Sequence, residues 1–574
     1  MFRPNTKHVQ PAIISAASEL PEKQRKRLKS SWANTFYQEF FSRIDEGIFS
    51  VLYSEVPSRP NVPVNVLVGL EALKAGFGWS DQELYDNFCY DLQVRYALGY
   101  DRLGDGDFEI RTLYYFRERL SRYNLEQGKN LLEKAFEQIT EAQISALKVR
   151  TGMQRMDSTQ IASNIVSASR IQLLVEGIQR VERILSEADR RKWSKLFVPY
   201  IKDRAGHFTY RIKGEKALQG HLTQIGQTIY DLLLQLEHAY AEEKAYQVLA
   251  RLFSEHFKVI AQEIQLKENL ELTSSSLQSV DDLEASYRTK GGKSFQGYVA
   301  NLTETCDPEN QVQLITKVQV APNNVDDTQL LAEALPELEE RTDLDTLYTD
   351  GGYGSPEMDD MLRENDVVQI QTAIRGRKPS IEKLHLSDFE IKQKEDGKPT
   401  QITCPNGQNV RVQASNKRKS FVAHFELGDC QTCPFAAACP AKPGKRDPRR
   451  HLRFTQAQTN VAQRRKRSQI HLTEGRNLRA AVEATVRQVK HPFPGGKLPV
   501  RGQFRVTCML LGSAAMSNIH RIQRFLAAKS EEIEQNRTQK NTQQTACDSF
   551  VSFWWQQISY LFKGLILCRS LLGC

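Results

Sequence analysis

Three acidic residues, Asp157, Asp350 and Glu483, stand at positions from which they could share one catalytic site. Each aspartate follows a short segment whose residue pattern predicts a β-strand, and Gly351 and Gly352 allow the chain to turn sharply after the second. Glu483 lies on a predicted helix. Three carboxylates brought together in this way would suit two Mg²⁺ or Mn²⁺ ions about 4 Å apart, which activate a water or a 3′-hydroxyl and stabilise the leaving oxygen of a phosphodiester.

Each acid taken alone also has an ordinary structural explanation. Asp157 would cap the turn that follows its strand, and Asp350 would form a hydrogen-bonded turn before its glycines. Glu483 would pair with Arg479 or Arg487 on the surface of its helix. The order of the three acids along the chain, rather than any one of them, favours the catalytic interpretation.

The surroundings of Glu483 are strongly basic. The segment 442–524 contains 19 Lys and Arg residues and three acids, a net charge of +16, whereas the whole chain carries +9. On a helix, Glu483 would lie in one stripe with four cations: Arg476, Arg479, Arg487 and Lys490. A lone carboxylate among cations is a poor structural choice unless something else needs it, and a metal ion beside a phosphate backbone is such a need.

Composition limits the class of protein. At 574 residues the chain is too long for one hydrophobic core, so roughly two to four domains are expected. The pI near 8.9 and the clustering of positive charge indicate a polyanionic partner, with a solvated basic face as the alternative. The N-terminus shows no signal-peptide pattern and the ten cysteines are unevenly placed, which favours a reducing cytoplasm over secretion.

The order of predicted elements is strand, Asp157, helical insert, two strands, helix, strand, Asp350, helix, strand and basic helix. The predicted strands are 147–153, 297–303, 311–320, 344–349 and 367–372. Ser355 is expected to cap the helix that Pro356 opens. We therefore predict an α/β fold whose order resembles an RNase H-like mixed-sheet catalytic core with helical and cysteine-rich insertions, preceded by an all-α domain.

The predicted boundaries follow from these patterns: an all-α N-terminal domain over 1–145, a catalytic domain over 146–526 with a helical insertion at 170–275 and a cysteine-rich insertion at 400–445, and a tail over 527–574. In the first, Pro63 can open a helix that Gly76 and Gly78 can end, and Ser80 with Glu83 predicts a capping box. Short helices joined by a glycine turn suit either a helix-turn-helix module or a plain helical bundle.

The tail divides into two parts. Residues 529–549 are polar and predict a flexible linker. Residues 550–567 are apolar and aromatic but contain two glutamines and a lysine. We interpret this segment as an amphipathic helix that packs on the body or on a second subunit, in preference to a membrane segment.

Four cysteines form a separate group with the spacing C-x25-C-x2-C-x5-C: Cys404, Cys430, Cys433 and Cys439. A C-x2-C pair with two further thiolates is a reasonable structural Zn²⁺ site, and His424 is a spare ligand. The alternative is four reduced thiols on a loop.

Several segments resemble the DDE transposases of bacterial insertion sequences. Residues 59–120, which contain WSDQELYDNFCYDLQVRYALG and TLYYFRERL, resemble the N-terminal domain of the InsH-type enzymes. RMDSTQIASN (155–164) and LYTDGGYGS (347–355) resemble the blocks of the first and second aspartates, and KGGKSFQGYVANLTET (290–305) the strand between them. RNLRAAVEATVRQVK (476–490) resembles the block of the last acid, although Arg476 stands where the family has tyrosine.

This resemblance implies the chemistry and the partners. Asp157, Asp350 and Glu483 would hold two Mg²⁺ or Mn²⁺ ions and catalyse cleavage at the element's terminal inverted repeats and strand transfer into target DNA. A homodimer is implied in the DNA complex, in the cytoplasm with the nucleoid, with no small-molecule substrate and no membrane role. The cations expected to contact DNA phosphates are Arg479, Arg487, Lys490, Arg464, Arg465, Lys466 and Arg467.

Two alternatives stay open. One is an RNase H-like nuclease that cuts DNA without strand transfer. The other is a catalytically inactive DNA-binding protein derived from such an element, which the apolar C-terminus favours and the three intact acids oppose.

Overall fold

The structure is a computed structural model of the chain, and it describes all residues except 7–14, 57–59, 103, 166–168, 202–213, 375–379, 381, 416–419, 445–447, 474–477 and 572–574. The described residues form helices, one mixed sheet, one six-stranded antiparallel sheet and one two-stranded antiparallel sheet, which is the α/β architecture predicted.

The described residues before Met153 form helices and turns. The α-helices are α1 Glu22–Lys29, α2 Trp32–Glu39, α3 Val64–Phe77, α4 Asp81–Tyr90, α5 Leu92–Ala97, α6 Arg111–Gln127 and α7 Leu131–Leu147. Helix α3 starts after Pro63 and ends at Gly78, as predicted, but Gly76, the other residue expected to end it, lies inside the helix. The capping box is confirmed as well, because Ser80 Oγ accepts a hydrogen bond from the backbone N–H of Glu83 and the Glu83 carboxylate accepts one from the backbone N–H of Ser80.

The strands are β1 Met153–Ile161, β2 Phe257–Ile260, β3 Glu263–Leu266, β4 Ser286–Lys290, β5 Lys293–Thr305, β6 Ile315–Pro322, β7 Thr346–Thr349, β8 Val368–Gln371, β9 Glu390–Gln393, β10 Pro399–Thr403, β11 Asn409–Ser415, β12 Ser420–Phe425, β13 Lys442–Pro443 and β14 Arg450–Phe454. The remaining α-helices are α8 Arg170–Ile184, α9 Glu187–Lys192, α10 Ser194–Ile201, α11 Glu215–Tyr240, α12 Lys244–His256, α13 Asp327–Arg341, α14 Pro356–Glu364, α15 Leu427–Gln431, α16 Gln456–Thr473, α17 Ala480–Lys490 and α18 Gln503–Leu571.

The mixed sheet has the strand order β6-β5-β1-β7-β8, and β4 pairs with the first part of β5. Strand β1 is parallel to β7, and β7 is parallel to β8. Strand β5 is antiparallel to both β1 and β6. Helix α13 connects β6 to β7 and α14 connects β7 to β8, so the central strands receive the helical crossovers that parallel pairing requires.

The prediction of a strand at 147–153 is wrong. Helix α7 continues to Leu147, and Lys148 then adopts a left-handed conformation with φ of 53° while the backbone N–H of Val149 bonds the carbonyl of Ile144. The segment therefore begins at the C-terminus of α7 and reaches β1 only at Met153. As a result, Asp157 lies inside β1 and not after its end. The other four predicted strands correspond to β5, β6, β7 and β8.

Helices α8, α10, α11 and α12 form a separate hydrophobic cluster that includes Leu174, Ile178, Ile225 and Leu249. The hairpin of β2 and β3 follows α12 and was not predicted. The six-stranded antiparallel sheet has the order β13-β14-β12-β11-β10-β9. Of the four cysteines, Cys404 follows β10, and the other three lie between β12 and β13. This second sheet was not predicted either, because its strands are short and β11 is largely exposed, so the apolar alternation is weak.

Helix α18 replaces the predicted linker at 529–549. The helix runs through this segment, which contains no Gly or Pro to interrupt it and includes three Glu and four Gln residues, both good helix formers. In the tail, the side chains of Val551, Phe553, Trp554 and Trp555 are exposed, so the predicted packing on the body is not seen for them. Among the described residues, no helix is long and apolar enough to span a membrane.

One large hydrophobic core joins the two ends of the chain. It contains α3 residues such as Leu70 and Leu73, β5 residues such as Leu302, and α18 residues such as Leu510 and Ala514. The N-terminal helices therefore share a core with the sheet and with α18. The boundary at residue 145 stays a prediction.

Gly78 is where the N-terminal helices meet the segment after α17. Its φ is +70°, and a Cβ there would lie 1.9 Å from the carbonyl oxygen of Pro492. We predict that Gly78→Ala lowers the free energy of unfolding by roughly 1–2 kcal/mol for the left-handed conformation plus roughly 1–3 kcal/mol for the clash. Gly128→Ala is the matched control, because Gly128 has φ of +65° and nothing within 4 Å of the added Cβ. Urea denaturation should show the larger loss for Gly78→Ala, and equal losses would contradict the predicted clash.

Candidate active site

The first two acids come together at neighbouring parallel strands. Arg155 of β1 lies opposite Tyr348 of β7, and continuing this register by two residues brings Asp157 beside Asp350. Asp157 is 9% exposed, within β1, whereas Asp350 follows the last residue of β7 and is half-buried. The pairing of β1 with β7 therefore positions two carboxylates on one face of the sheet, since alternate residues of a strand point to the same side.

Asp350 begins a tight turn. Its Oδ1 accepts a hydrogen bond of 2.6 Å from the backbone N–H of Gly352. A Cβ on Gly352 would lie 2.4 Å from Oδ2 of Asp327 and 2.7 Å from Oδ1 of Asp350, so no side chain fits at this position. Asp350 therefore forms the turn considered from the sequence, and its carboxylate also lies beside Asp157.

Helix α17 brings Glu483 to the same place. The guanidinium of Arg479 lies between two of the acids, with Nη2 3.1 Å from Oδ1 of Asp157 and Nη1 3.7 Å from Oε1 of Glu483. Arg479 is largely buried, whereas the Glu483 side chain is 54% exposed. The opposite face of α17 is buried and contains Val482, Thr485, Val486 and Val489. The three predicted acids are thus assembled around one arginine.

The charges of the site perturb one another. Burial raises the pKa of Asp157, Arg479 lowers it, and the negative charges of Asp350 and Glu483 raise it again. The net result is a pKa of Asp157 above its ordinary value. The carboxylates therefore repel one another, and additional positive charge at this place would be favourable.

The chemistry of the donor set fits Mg²⁺ or Mn²⁺, because these ions prefer carboxylate oxygens. In the described part of the chain, however, no three His, Cys, Asp or Glu side chains form a ready group that could hold a metal ion. Arg479 supplies the positive charge between Asp157 and Glu483 instead. Binding of a divalent ion by these acids therefore requires side-chain movement, chiefly of the half-exposed Glu483.

The other cations predicted near the last acid differ in exposure. Lys490 is half-buried, and its Nζ donates to the carbonyl of Gln160 at 2.9 Å and lies 3.4 Å from Oγ1 of Thr159, so it ties α17 to the end of β1. Burial lowers the pKa of Lys490. Arg487 is exposed on the same helix. Arg476 lies outside the described residues.

The RRKR cluster on α16 is not one uniform surface. Arg464 is 6% exposed and lies 3.5 Å from Asp359 in an ion pair, which disfavours its predicted contact with DNA. Arg465 and Lys466 are half-buried, and Arg467 is exposed. A DNA contact by this cluster therefore rests mainly on Arg467 and stays a prediction.

The four cysteines of the predicted zinc site lie near one another. Burial raises the pKa of Cys430, Arg450 lowers it, and the proximity of Cys439, Cys404 and Cys433 raises it. These thiols nevertheless do not form a ligand group as placed in the described structure. His424, the spare ligand, pairs in register with His451, and their rings are 4.5 Å apart. A structural zinc ion therefore stays a prediction of the sequence alone.

A fourth acid beside the site was not singled out from the sequence. Asp327, the first residue of α13, is 2% exposed, and its Oδ1 accepts a hydrogen bond of 2.7 Å from Ser158 Oγ. Its other carboxylate oxygen lies against Gly352. Nothing in the local sequence pattern of Asp327 reveals that α13 starts beside β1.

A family model described as a transposase DDE domain matches residues 403–523. The matched segment contains Arg479 and Glu483, and it starts after Asp157 and Asp350. No curated protein and no solved structure matches the chain. The family match supports a DDE transposase, which implies a nuclease or transposase as the class of enzyme and DNA as the partner.

Arg479 provides a test of the site's electrostatics. We predict that Arg479→Gln raises the affinity for Mn²⁺ roughly threefold to tenfold, because a positive charge is removed within a few ångströms of the acids. The same change should alter the salt dependence of DNA binding by less than one charge, because Arg479 is largely buried and pairs with the acids. Calorimetric titration with Mn²⁺ and DNA-binding assays at several salt concentrations measure the two effects.

Arg487→Gln is the matched control, because Arg487 lies on the same helix stripe but is exposed and is not paired with the acids. It should weaken DNA binding and leave Mn²⁺ affinity nearly unchanged. An unchanged or weaker Mn²⁺ affinity in Arg479→Gln would contradict the prediction.

Proposed function

We propose that this chain is the transposase of a bacterial insertion sequence, which cleaves DNA at the terminal inverted repeats of the element and joins the ends to a target. The observation that carries the proposal is the convergence of Asp157, Asp350 and Glu483 on Arg479, inside and beside the segment that matches the DDE domain. Those acids are separated by more than 100 residues along the chain, so their convergence is a property of the fold.

The sheet supports the proposal that the core is RNase H-like. In chain order the five central strands are β1, β5, β6, β7 and β8, and their spatial order is third, second, first, fourth, fifth. The second of them runs opposite to the other four. This arrangement places the first and fourth strands side by side, where their acids share one face.

The proposed roles follow from the positions of the side chains. Asp157, Asp350 and Glu483 would hold two divalent ions, which supply an activated water or 3′-hydroxyl and stabilise the leaving oxygen. Arg479 neutralises the acids and orients Asp157 through its hydrogen bond. Exposed Arg487 would contact a DNA phosphate beside the site, and Lys490 fixes the end of β1.

The partners proposed are the terminal repeats and the target DNA. A homodimer in the DNA complex, an InsH-type N-terminal DNA-binding domain and association with the nucleoid belong to the same proposal, and all of them rest on the family resemblance. The basic segment 442–524 supports a DNA partner through its net charge of +16.

A cleavage assay on the DNA that flanks the gene tests the catalytic proposal. We predict that Glu483→Gln and Asp350→Asn each lower Mg²⁺- or Mn²⁺-dependent nicking and strand transfer by at least about a hundredfold, the scale on which removing one group that stabilises transition-state charge acts. DNA binding should remain, because neither acid is expected to contact phosphate directly. Rates are measured on labelled end fragments, and binding on the same fragments.

Glu187→Gln serves as the control, because Glu187 is also an exposed helical glutamate paired with an arginine four residues away, but on α9. It should cleave like the wild type. Persistent nicking in Glu483→Gln would remove this acid from the site. Nicking without joining would favour the nuclease alternative, and binding without nicking by the wild type would favour the inactive DNA-binding alternative.

A further inference from the structure

A buried carboxylate on β5 contacts three other elements of the core. Glu304 has no exposed surface. Its Oε1 accepts from Arg155 Nε at 2.6 Å, and its Oε2 accepts from Arg521 Nη1 at 2.7 Å and from Thr485 Oγ1 at 2.7 Å. We call Glu304, Arg155, Arg521 and Thr485 the Glu304 clamp. Its members come from β5, β1, α18 and α17.

The clamp holds helix α17 at two levels. Arg155 Nη1 donates to the carbonyl of Leu478 at 2.7 Å, immediately before Arg479. Arg521 Nη2 donates to Thr485 Oγ1 at 2.5 Å, further along the helix. The chain that enters α17 and the buried face of the helix are therefore both attached to the same carboxylate through directional hydrogen bonds.

The same residues are close in sequence to the catalytic candidates. Arg155 precedes Asp157 by two residues in β1, so the two side chains leave the same face of the strand. Thr485 follows Glu483 by two residues in α17, so it faces the interior while Glu483 faces outward. The same hydrogen-bond network thus connects β1, which carries Asp157, and α17, which carries Glu483, to the buried carboxylate of Glu304.

Apolar packing alone would not fix the position of α17 relative to β1 as closely as these hydrogen bonds do. The apolar contacts of α17 come from valines such as Val482 and Val486, whose non-directional packing tolerates small rotations of the helix. Hydrogen bonds to a buried carboxylate weaken steeply when their angles change, and an unpaired buried charge is costly. The clamp therefore resists rotation and sliding of α17 relative to β1.

We propose that the Glu304 clamp is a positioning device that sets where Glu483 and Arg479 stand relative to Asp157, and that Thr485 is its positioning residue on the catalytic helix. The inference rests on the proposed function, which it extends to residues that touch neither DNA nor metal. The alternative is that the Glu304 clamp only stabilises the fold and does not position the catalytic candidates.

Thr485→Val tests the proposal, because valine keeps the shape of the side chain and removes only the hydroxyl, whereas Glu304→Gln removes the buried negative charge that faces two arginines and risks misfolding. Thr485→Ser keeps the hydroxyl and should rescue. Thr140→Val is the matched control, since Thr140 is a buried helical threonine whose hydroxyl bonds the carbonyl of Phe136 within its own helix. The variants are compared in the full chain by thermal unfolding, DNA binding, single-turnover cleavage and hydrogen exchange.

In Thr485→Val we expect the single-turnover cleavage rate to fall about tenfold to a hundredfold, since misplacing a reacting group by about 1 Å can cost a hundredfold. DNA affinity should stay within about twofold, and the unfolding temperature should fall no more than in Thr140→Val. Amide hydrogen exchange in α17 should become faster in Thr485→Val, and Thr485→Ser should restore both exchange and rate.

Cleavage and exchange equal to wild type in Thr485→Val would overturn the clamp proposal, as would a rate loss that Thr485→Ser shares or that Thr140→Val matches. Failure of the proposed function gives a different result. If the wild type neither cleaves nor binds Mn²⁺, the transposase proposal fails, and hydrogen exchange in α17 still decides whether the clamp holds the helix.

Discussion

The mutual repulsion of three carboxylates is the constraint around which this chain is organised. Asp157, Asp350 and Glu483 approach one another closely enough that the charges of the latter two raise the pKa of Asp157. Arg479 stands among them, and burial of its guanidinium is compensated by these acids. A fold that brings such groups together must either supply positive charge or lose stability. The arginine supplies it in this structure, and divalent ions would supply it during the proposed reaction.

The elements around the acids serve this arrangement. Strand β1 lies in the middle of the mixed sheet, held by β5 on one side and by β7 on the other, so the backbone at Asp157 is held on its antiparallel side and Asp350 arrives beside it. Helix α18 packs against α3 and provides Arg521 to the buried Glu304. The N-terminal helices therefore contribute to the site indirectly, by fixing the helix that supports α17.

Local signals in the sequence were reliable where the determining interactions are local. The capping box of Ser80 and Glu83 and the cap of Ser355 on Met358 formed as predicted, because each depends on residues three positions apart. Signals failed where one pattern suited two structures. The alternating residues at 147–153 lead from the end of α7 to the start of β1. The polar segment at 529–549 continues a helix, since it has no Gly or Pro to stop it.

The sequence alone indicated the three acids, their basic surroundings and the α/β order of strands and helices. Residue type, spacing and periodicity are properties of the sequence itself and require no tertiary contact. It did not reveal Glu304, Asp327 or the burial of Arg464, since each of these depends on partners far away in sequence. Only the tertiary structure decided that Arg479 bridges Asp157 and Glu483. Side chains from β1 and α17, separated by more than 300 residues, meet only when the sheet and the helix pack.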